Sequence, residues 1–329
     1  MPHASADELH AALAAVTRAA SVCQSVHRSL VTQDTITKKD KSPVTVADFA
    51  SQAIVSITLR DALGGVQLVG EEDAADLRGD AAAETLGKVT AHVGDGLERT
   101  ATPDEVLEAI DAAAVDPDPL TGRFWTIDPI DGTKGFLRGD QYAVALGLIE
   151  DGQPILGVLG CPNLEVDGRT GLLMSAVAGQ GTTVRALDAS LEPTKAQVDP
   201  AEAPAGARFC ESVESGHSDQ SSSAKIAELL GITEPPYRID SQCKYAAVAK
   251  GDATIYLRLP TRPGYVEKIW DHAAGAACVT CAGGTVTDIE GKPLDFAHGR
   301  TLQNNRGIIA TNGKFHDQVV SAVQAVLKG

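Results

Sequence analysis

At 329 residues the chain is long enough for one large domain or two ordinary ones around a substantial core, and its 43% apolar and 22% charged residues are an ordinary globular balance. The formal charge of −16 excludes nucleic-acid polymers and anionic membranes as natural partners, because both need broad basic patches. A small anionic ligand stays compatible, since a local cluster of cations outweighs a distant acidic surface.

The elements read as follows. Residues 6–30 form a helix with Ala12, Leu13, Ala15, Val16 and Ala19 near one face. A second helix runs over 48–63 and ends at Gly64-Gly65. A short strand at 66–69 leads into Gly70-Glu71-Glu72. The acidic, Ala-rich stretch 73–120 predicts helices near 84–93 and 103–114, broken by Asp116-Pro117-Asp118-Pro119. Strands are expected at 124–127, 142–150 and 153–160, with Asp151-Gly152 as a hairpin turn, and a further hairpin pairs 172–177 with 182–186. The segment 192–206, rich in Pro, Ala and charge, reads as a linker. Strand and helix then alternate: strands at 208–211, 237–239, 253–259 and 308–310, helices at 221–230, 242–249, 271–282 and 315–327. The expected organisation is an α+β domain over 1–206 and an α/β domain over 207–329.

The six cysteines are scattered, and Cys23, Cys161 and Cys210 lie in apolar runs, so reduced thiols are expected rather than a disulfide scaffold. Cys278-Val-Thr-Cys281 lies inside an Ala-rich helix, which favours two core thiols over a redox pair. No apolar run approaches the ~20 residues of a membrane span. The first eight residues lack the basic segment of a secretory signal, so a cytoplasmic protein is expected, with an organelle protein that has lost its transit peptide as the alternative.

The richest segment is Phe124-Trp-Thr-Ile-Asp128-Pro-Ile130-Asp131-Gly-Thr133-Lys-Gly-Phe136. An apolar strand delivers Asp128 to its end, Pro129 blocks further ladder bonding, and Asp131 follows three residues on, so both carboxylates face one point. Gly132 permits a backbone conformation that other residues resist, and the Ile130 carbonyl points near the same centre. Hard oxygen ligands on a rigid turn suit Mg²⁺. Carboxylates crowded at one point repel one another, a strain that divalent ions relieve.

Other residues carry two readings each. Glu71 is a solvated turn residue or a ligand. Asp271 begins a helix, where it is an N-cap, a ligand, or both. Asp48 is a helix N-cap or a base. His217, Lys244 and Arg258 are, singly, ordinary surface groups. The Lys38-Lys39-Asp40-Lys41 run is a solvated loop that also helps draw in an anion.

Together these segments resemble the lithium-sensitive, Mg²⁺-dependent phosphatase superfamily that includes the inositol monophosphatases. Gly70-Glu71-Glu72, Asp128-Pro-Ile-Asp131-Gly-Thr133 and Trp270-Asp271-His-Ala-Ala-Gly275 match its three metal motifs in order, and the resemblance runs from about residue 6 to 327. It implies a layered αβαβα sandwich of the inositol monophosphatase and fructose-1,6-bisphosphatase type. Within the superfamily the chain is most similar to the 3′(2′),5′-bisphosphate nucleotidases. Ser42-Pro-Val-Thr-Val-Ala-Asp48, Thr133-Lys-Gly-Phe136, the run from Glu211 to His217, Ser241-Gln-Cys-Lys244-Tyr and Tyr265-Val-Glu-Lys-Ile-Trp-Asp271 carry that likeness.

The resemblance implies that Glu71, Asp128, Asp131, Asp271 and the Ile130 carbonyl hold two or three Mg²⁺ ions. Asp48 and Thr133 activate the attacking water. Thr133, His217, Ser241, Lys244, Arg258 and Asp271 bind substrate. The expected substrate is adenosine 3′,5′-bisphosphate, giving AMP and phosphate, with 3′-phosphoadenylyl sulfate as a second. Inositol phosphatase activity and a catalytically silent phosphonucleotide sensor are the alternatives. A monomer or a dimer is expected, without nucleic acid or membrane partners.

Overall fold

The computed structural model describes residues 3–32, 42–114, 122–213, 220–260 and 264–328. Lys38 to Lys41, Asp116 to Pro119 and His217 lie outside the described residues. The chain begins with two long helices, α1 (Ala6–Thr32) and α2 (Ser42–Leu63). The second starts six residues before the predicted point, so Asp48 lies inside it and is not its N-cap. A proline near a helix start is tolerated, because the N–H it lacks has no intrahelical partner there. Strand β1 (Leu68–Gly70) follows. Helices α3 (Ala83–Leu97) and α4 (Pro103–Asp111) then fill the acidic stretch, and Thr102 caps α4 by accepting from the Glu105 N–H.

Strand β2 (Arg123–Asp131) carries the aspartate motif. It does not stop at Pro129. The pairing with β3 (Ala143–Glu150) shifts register between Asp128 and Asp131, and this irregularity absorbs the proline. A short helix that the sequence pattern did not predict, α5 (Thr133–Arg138), follows directly. β3 turns into β4 (Gln153–Val166) through Asp151-Gly152, both at positive φ (51° and 73°), as the right-handed twist of a two-residue hairpin requires. β5 (Arg169–Val177), β6 (Gly181–Ala186) and β7 (Thr194–Ala196) complete a sheet in the order β1 to β7. β1 pairs parallel to β2 and the other pairs are antiparallel. The predicted linker at 192–206 thus contributes a strand, β7, to that sheet.

The rest of the chain gives β8 (Phe209–Glu211), α6 (Gln220–Leu230), β9 (Tyr237–Arg238), α7 (Cys243–Lys250) and β10 (Ile255–Arg258). Then come α8 (Ala273–Cys281), β11 (Thr285–Thr287), β12 (Ile308–Thr311) and α9 (His316–Lys328). A second sheet has the order β11-β12-β10-β8-β9. The layers are α1 and α2, the first sheet, α7 and α8, the second sheet, and α6 with α9, which is the αβαβα sandwich the motifs imply. Three apolar clusters fill the spaces between them.

The middle layer packs closely because it is built of small residues. A Cβ added to Gly157 on β4 would sit 2.5 Å from the Ala274 carbonyl oxygen of α8. The six cysteines are free; Cys281 is partly exposed and the others are buried. Among the described residues no helix is long and apolar enough to cross a membrane.

Candidate functional site

The acidic motifs converge at one end of the first sheet, on a cleft of about 350 Å³. Asp128 reaches it from β2, and its Oδ1 is buried without a hydrogen-bond partner. Asp131 closes the same strand, and its Oδ2 accepts the Gln242 backbone N–H at 2.6 Å. The turn between them is braced from α2, where the buried Ser51 hydroxyl donates to the Pro129 carbonyl at 2.9 Å. Gly132 has φ +92°, and an added Cβ would meet the Ser241 Cβ at 2.9 Å, so both its conformation and its neighbour demand glycine.

Glu71 leaves the end of β1 under the control of Gln52, a fully buried amide on α2. Gln52 Nε2 donates to the Glu72 carbonyl at 2.7 Å and to the Ile110 carbonyl at 3.2 Å, and its Oε1 accepts the Glu72 N–H at 3.0 Å. Arg300 reaches from the C-terminal half to donate to the Gly70 carbonyl at 2.6 Å, with its guanidinium 4.7 Å from the Trp270 ring centroid. It therefore ties the residue before Glu71 to the residue before Asp271.

Asp271 stands two residues ahead of α8 rather than at its cap. Gln242 holds this turn as well: its Nε2 donates to the Trp270 carbonyl at 2.9 Å, and its Oε1 accepts the Gly275 N–H at 3.1 Å.

These carboxylates perturb one another. Burial, then Glu71, Asp131, Asp271 and Asp48, raise Asp128 well above the usual carboxylate range. Burial together with Glu72 and Asp131 pushes Glu71 up to about 7, against the opposing pull of Lys268 and Arg300. Burial raises Asp271 to about 6, although His272 and Arg258 oppose it. Asp48 is buried in α2 and raised by burial, then by Glu72 and Glu71. A buried carboxylate oxygen without a donor, inside a ring of acids that resist ionising together, fits a bound divalent cation.

Glu267, Asp271 and His272 form another group with metal-ligand spacing. There Arg258 already supplies the positive charge, with Nε 2.7 Å from Glu267 and Nη2 3.4 Å from Asp271.

The same cleft is lined by Lys244, on the first turn of α7 and only 6% exposed. Its ammonium donates to the Ser212 hydroxyl at 3.2 Å and lies 5.3 Å from the Tyr256 ring centroid. Among the described residues no carboxylate forms an ion pair with it, and burial lowers its pKa against the pull of Asp131. Glu71, Asp128, Ile130, Asp131, Thr133, Ser241, Lys244, Arg258 and Asp271 all line this one cleft. Asp48 is not among the lining residues, and no hydrogen bond joins it to Thr133.

The sequence reading assigned no role to Gln52, Gln242, Ser212, Glu267 or Arg300. Four of them stood in view: Gln242 falls between Ser241 and Lys244, Ser212 within the run from Glu211 to His217, Glu267 within the run to Asp271, and Gln52 one turn beyond Asp48.

A profile of the inositol monophosphatase family matches residues 5–328. A 3′(2′),5′-bisphosphate nucleotidase 1 of Arabidopsis thaliana is 48% identical over 338 residues, covering 96% of this chain and 95% of its own. A 3′(2′),5′-bisphosphate nucleotidase of Oryza sativa is 45% identical over 343 residues, covering 98% and 95%. An inositol monophosphatase structure from Anabaena superposes with a TM-score of 0.62 at 22% identity, covering 96% of this chain and 95% of that one, which is a likeness of fold. With its three acidic motifs gathered at one cleft and nearly full-length relatives of this kind, the chain belongs to the inositol monophosphatase family, in the branch of the 3′(2′),5′-bisphosphate nucleotidases.

Proposed function

We propose that this protein removes the 3′-phosphate of adenosine 3′,5′-bisphosphate, giving AMP and phosphate, and acts on 3′-phosphoadenylyl sulfate in the same way. The observation that carries this reading is one cleft that pairs a crowd of carboxylates, Asp128 with an unpartnered oxygen among them, with a buried lysine that has no ion-pair partner among the described residues. The relatives named as bisphosphate nucleotidases support the choice of a substrate with two phosphates.

Glu71, Asp128, Asp131, Asp271 and the Ile130 carbonyl would hold two or three Mg²⁺ ions, for which their hard oxygen donors are suited. When bound, the ions supply charge neutralisation for the scissile phosphate and acidify water. Asp48 and Thr133 are the pair proposed to take the proton from the attacking water; Thr133 lines the cleft, whereas Asp48 is buried in α2 behind it and would have to act through an intervening group. Lys244 and Arg258 take the phosphate that is not cleaved, and Ser241 with His217 takes the nucleoside. No serine or cysteine nucleophile is required, so water attacks phosphorus directly and in line.

The test is phosphate release from adenosine 3′,5′-bisphosphate, with Mg²⁺ and with chelator. Wild type should turn over only with Mg²⁺. Asp131→Asn removes a ligand charge at nearly constant volume, so it should lose most turnover while keeping its thermal unfolding midpoint. Full activity in that variant overturns the ligand assignment. A wild type that binds the nucleotide without releasing phosphate is a sensor, not an enzyme.

A further inference from the structure

Arg258 ends β10 at the cleft with two carboxylates to choose between. Glu267 takes its Nε at 2.7 Å. Asp271, one of the proposed ligands, stands 3.4 Å from Nη2, and the Tyr265 hydroxyl is also 3.4 Å from that nitrogen. The shorter contact is with Glu267, not with the proposed ligand beside it, so what holds Glu267 decides how the guanidinium sits between the two.

The hold on Glu267 comes from the core. Glu267 is 6% exposed, and its Oε2 faces His272 Nε2 at 3.1 Å. His272 is fully buried, with the Tyr245 hydroxyl 2.8 Å from its Nδ1. A carboxylate only accepts, so Nε2 carries the proton, and in the neutral ring Nδ1 accepts from Tyr245. The Tyr245 ring packs edge-on against Tyr256 at 5.0 Å. The backbone around Glu267 is fixed too, because its carbonyl accepts the Leu302 N–H at 2.8 Å and Lys268 bridges to Thr301. Tyr245, His272 and Glu267 thus form a rigid rod from the core to the arginine.

We infer that Glu267 is a specificity-positioning residue: by holding Arg258 through Nε, it keeps the terminal nitrogens of the guanidinium turned to the substrate's second phosphate instead of collapsing onto Asp271. This rests on the reading of Arg258 as a second-phosphate group. Glu267 stands at the wall of the same cleft, but the carboxylate oxygen that meets Arg258 is also held by His272. It works through the geometry of a planar fork, for which the anchored Nε fixes where the Nη donors point.

The test compares adenosine 3′,5′-bisphosphate with adenosine 3′-monophosphate, which presents the same ester without the second phosphate. Glu267→Gln keeps the shape and removes the charge. It should raise KM for the bisphosphate about tenfold, the scale of a misplaced charge-assisted hydrogen bond. KM for the monophosphate, kcat for both and the Mg²⁺ requirement should stay at the wild-type values. Arg258→Ala should raise KM for the bisphosphate at least as much, and adding Glu267→Gln to it should change nothing further. If Glu267→Gln does not fold, Glu267→Asp serves: it keeps the charge but is too short to meet Arg258 and His272 together, so the same bisphosphate-selective rise is expected.

An equal loss on both substrates, or a raised Mg²⁺ requirement, means that Glu267 acts through Asp271 or the fold, and overturns the inference. So does a Glu267→Gln penalty that persists in full without Arg258. A normal Glu267→Gln beside an impaired Arg258→Ala overturns the role of Glu267 alone. A normal Arg258→Ala takes down the second-phosphate reading and this inference with it.

Discussion

Lys244 shows how one residue trades stability for binding. Its ammonium is buried against a hydroxyl and a ring, with no carboxylate paired to it among the described residues. Such a charge costs folding free energy unless a ligand supplies the anion. Lys244→Met should therefore raise the thermal unfolding midpoint, with a gain on the order of 1 kcal/mol. The same change should raise KM for adenosine 3′,5′-bisphosphate tenfold or more, on the order of the loss of one charge-assisted hydrogen bond, while sparing adenosine 3′-monophosphate. Calorimetry and steady-state kinetics read the two effects separately, and a lowered midpoint would mean that the lysine is structural. The acidic residues that line the cleft were legible in the sequence because each stands in a local motif: two aspartates at a strand end, a glutamate after a strand, an aspartate before a small-residue helix. The residues that hold them were not. Gln52 reaches 20 residues to Glu72 and 58 to Ile110, and Arg300 reaches 230 to Gly70. An amide or a cation takes its meaning from a tertiary partner, and nothing in its own neighbourhood names that partner.

At the scale of elements, the sequence pattern located most helices and strands but misjudged their junctions. It ended β2 at residue 127, short of Pro129, because a proline cannot donate to a ladder, whereas the strand runs on to Asp131 and carries the proline on a register shift. It missed β7, which lies in the stretch whose Pro and charge content reads as a linker, and β11, three residues directly after the Gly283-Gly284 helix stop. It recognised α8 but not why the helix is made of alanine and glycine. The reason is the close approach to β3 and β4, which Gly157 permits. Gly157→Ala would press a methyl group against the Ala274 carbonyl, at a cost of about 1–3 kcal/mol of overpacking. Because Asp271 leads directly into α8, the same displacement should weaken Mg²⁺ binding, read by titration calorimetry. Gly87→Ala is the contrasting case. It lies on the exposed face of α3 with nothing within 4 Å of an added Cβ, and should stabilise by about 0.5–1 kcal/mol without touching Mg²⁺ affinity. Equal effects on Mg²⁺ from the two variants would break the link between α8 and the site.

For the whole molecule, the acidic cluster sets how stability responds to pH and to metal. The carboxylates of Glu71, pushed up to about 7, and of Asp271, at about 6, hold protons in the folded protein where the unfolded chain has released them. Asp128 and Asp48 are raised too, by burial first and then by their acidic neighbours. A group whose folded pKa exceeds its unfolded value stabilises fully below the unfolded value, near ~4, and that contribution is lost as pH rises through the folded one. Chelated protein should therefore lose stability between about pH 5 and pH 8 on account of this cluster. His92 and His316, both lowered by burial, tilt the other way as pH falls below their ordinary ~6.5, so a single pH curve mixes the two effects. The difference between chelated and Mg²⁺-loaded curves separates them, because the histidines are common to both. Mg²⁺ replaces the protons and binds the ionised acids, so its stabilisation should grow steadily from pH 5 to pH 8 and protons should be released on binding. Asp128→Asn removes one buried acid, and should flatten the pH slope in chelator and shrink the Mg²⁺-induced gain together. Differential scanning calorimetry across that range, with and without Mg²⁺, measures both. A Mg²⁺ gain that is the same at pH 5 and pH 8 would mean that the acids do not compete between proton and metal, and that the cluster is not the metal centre.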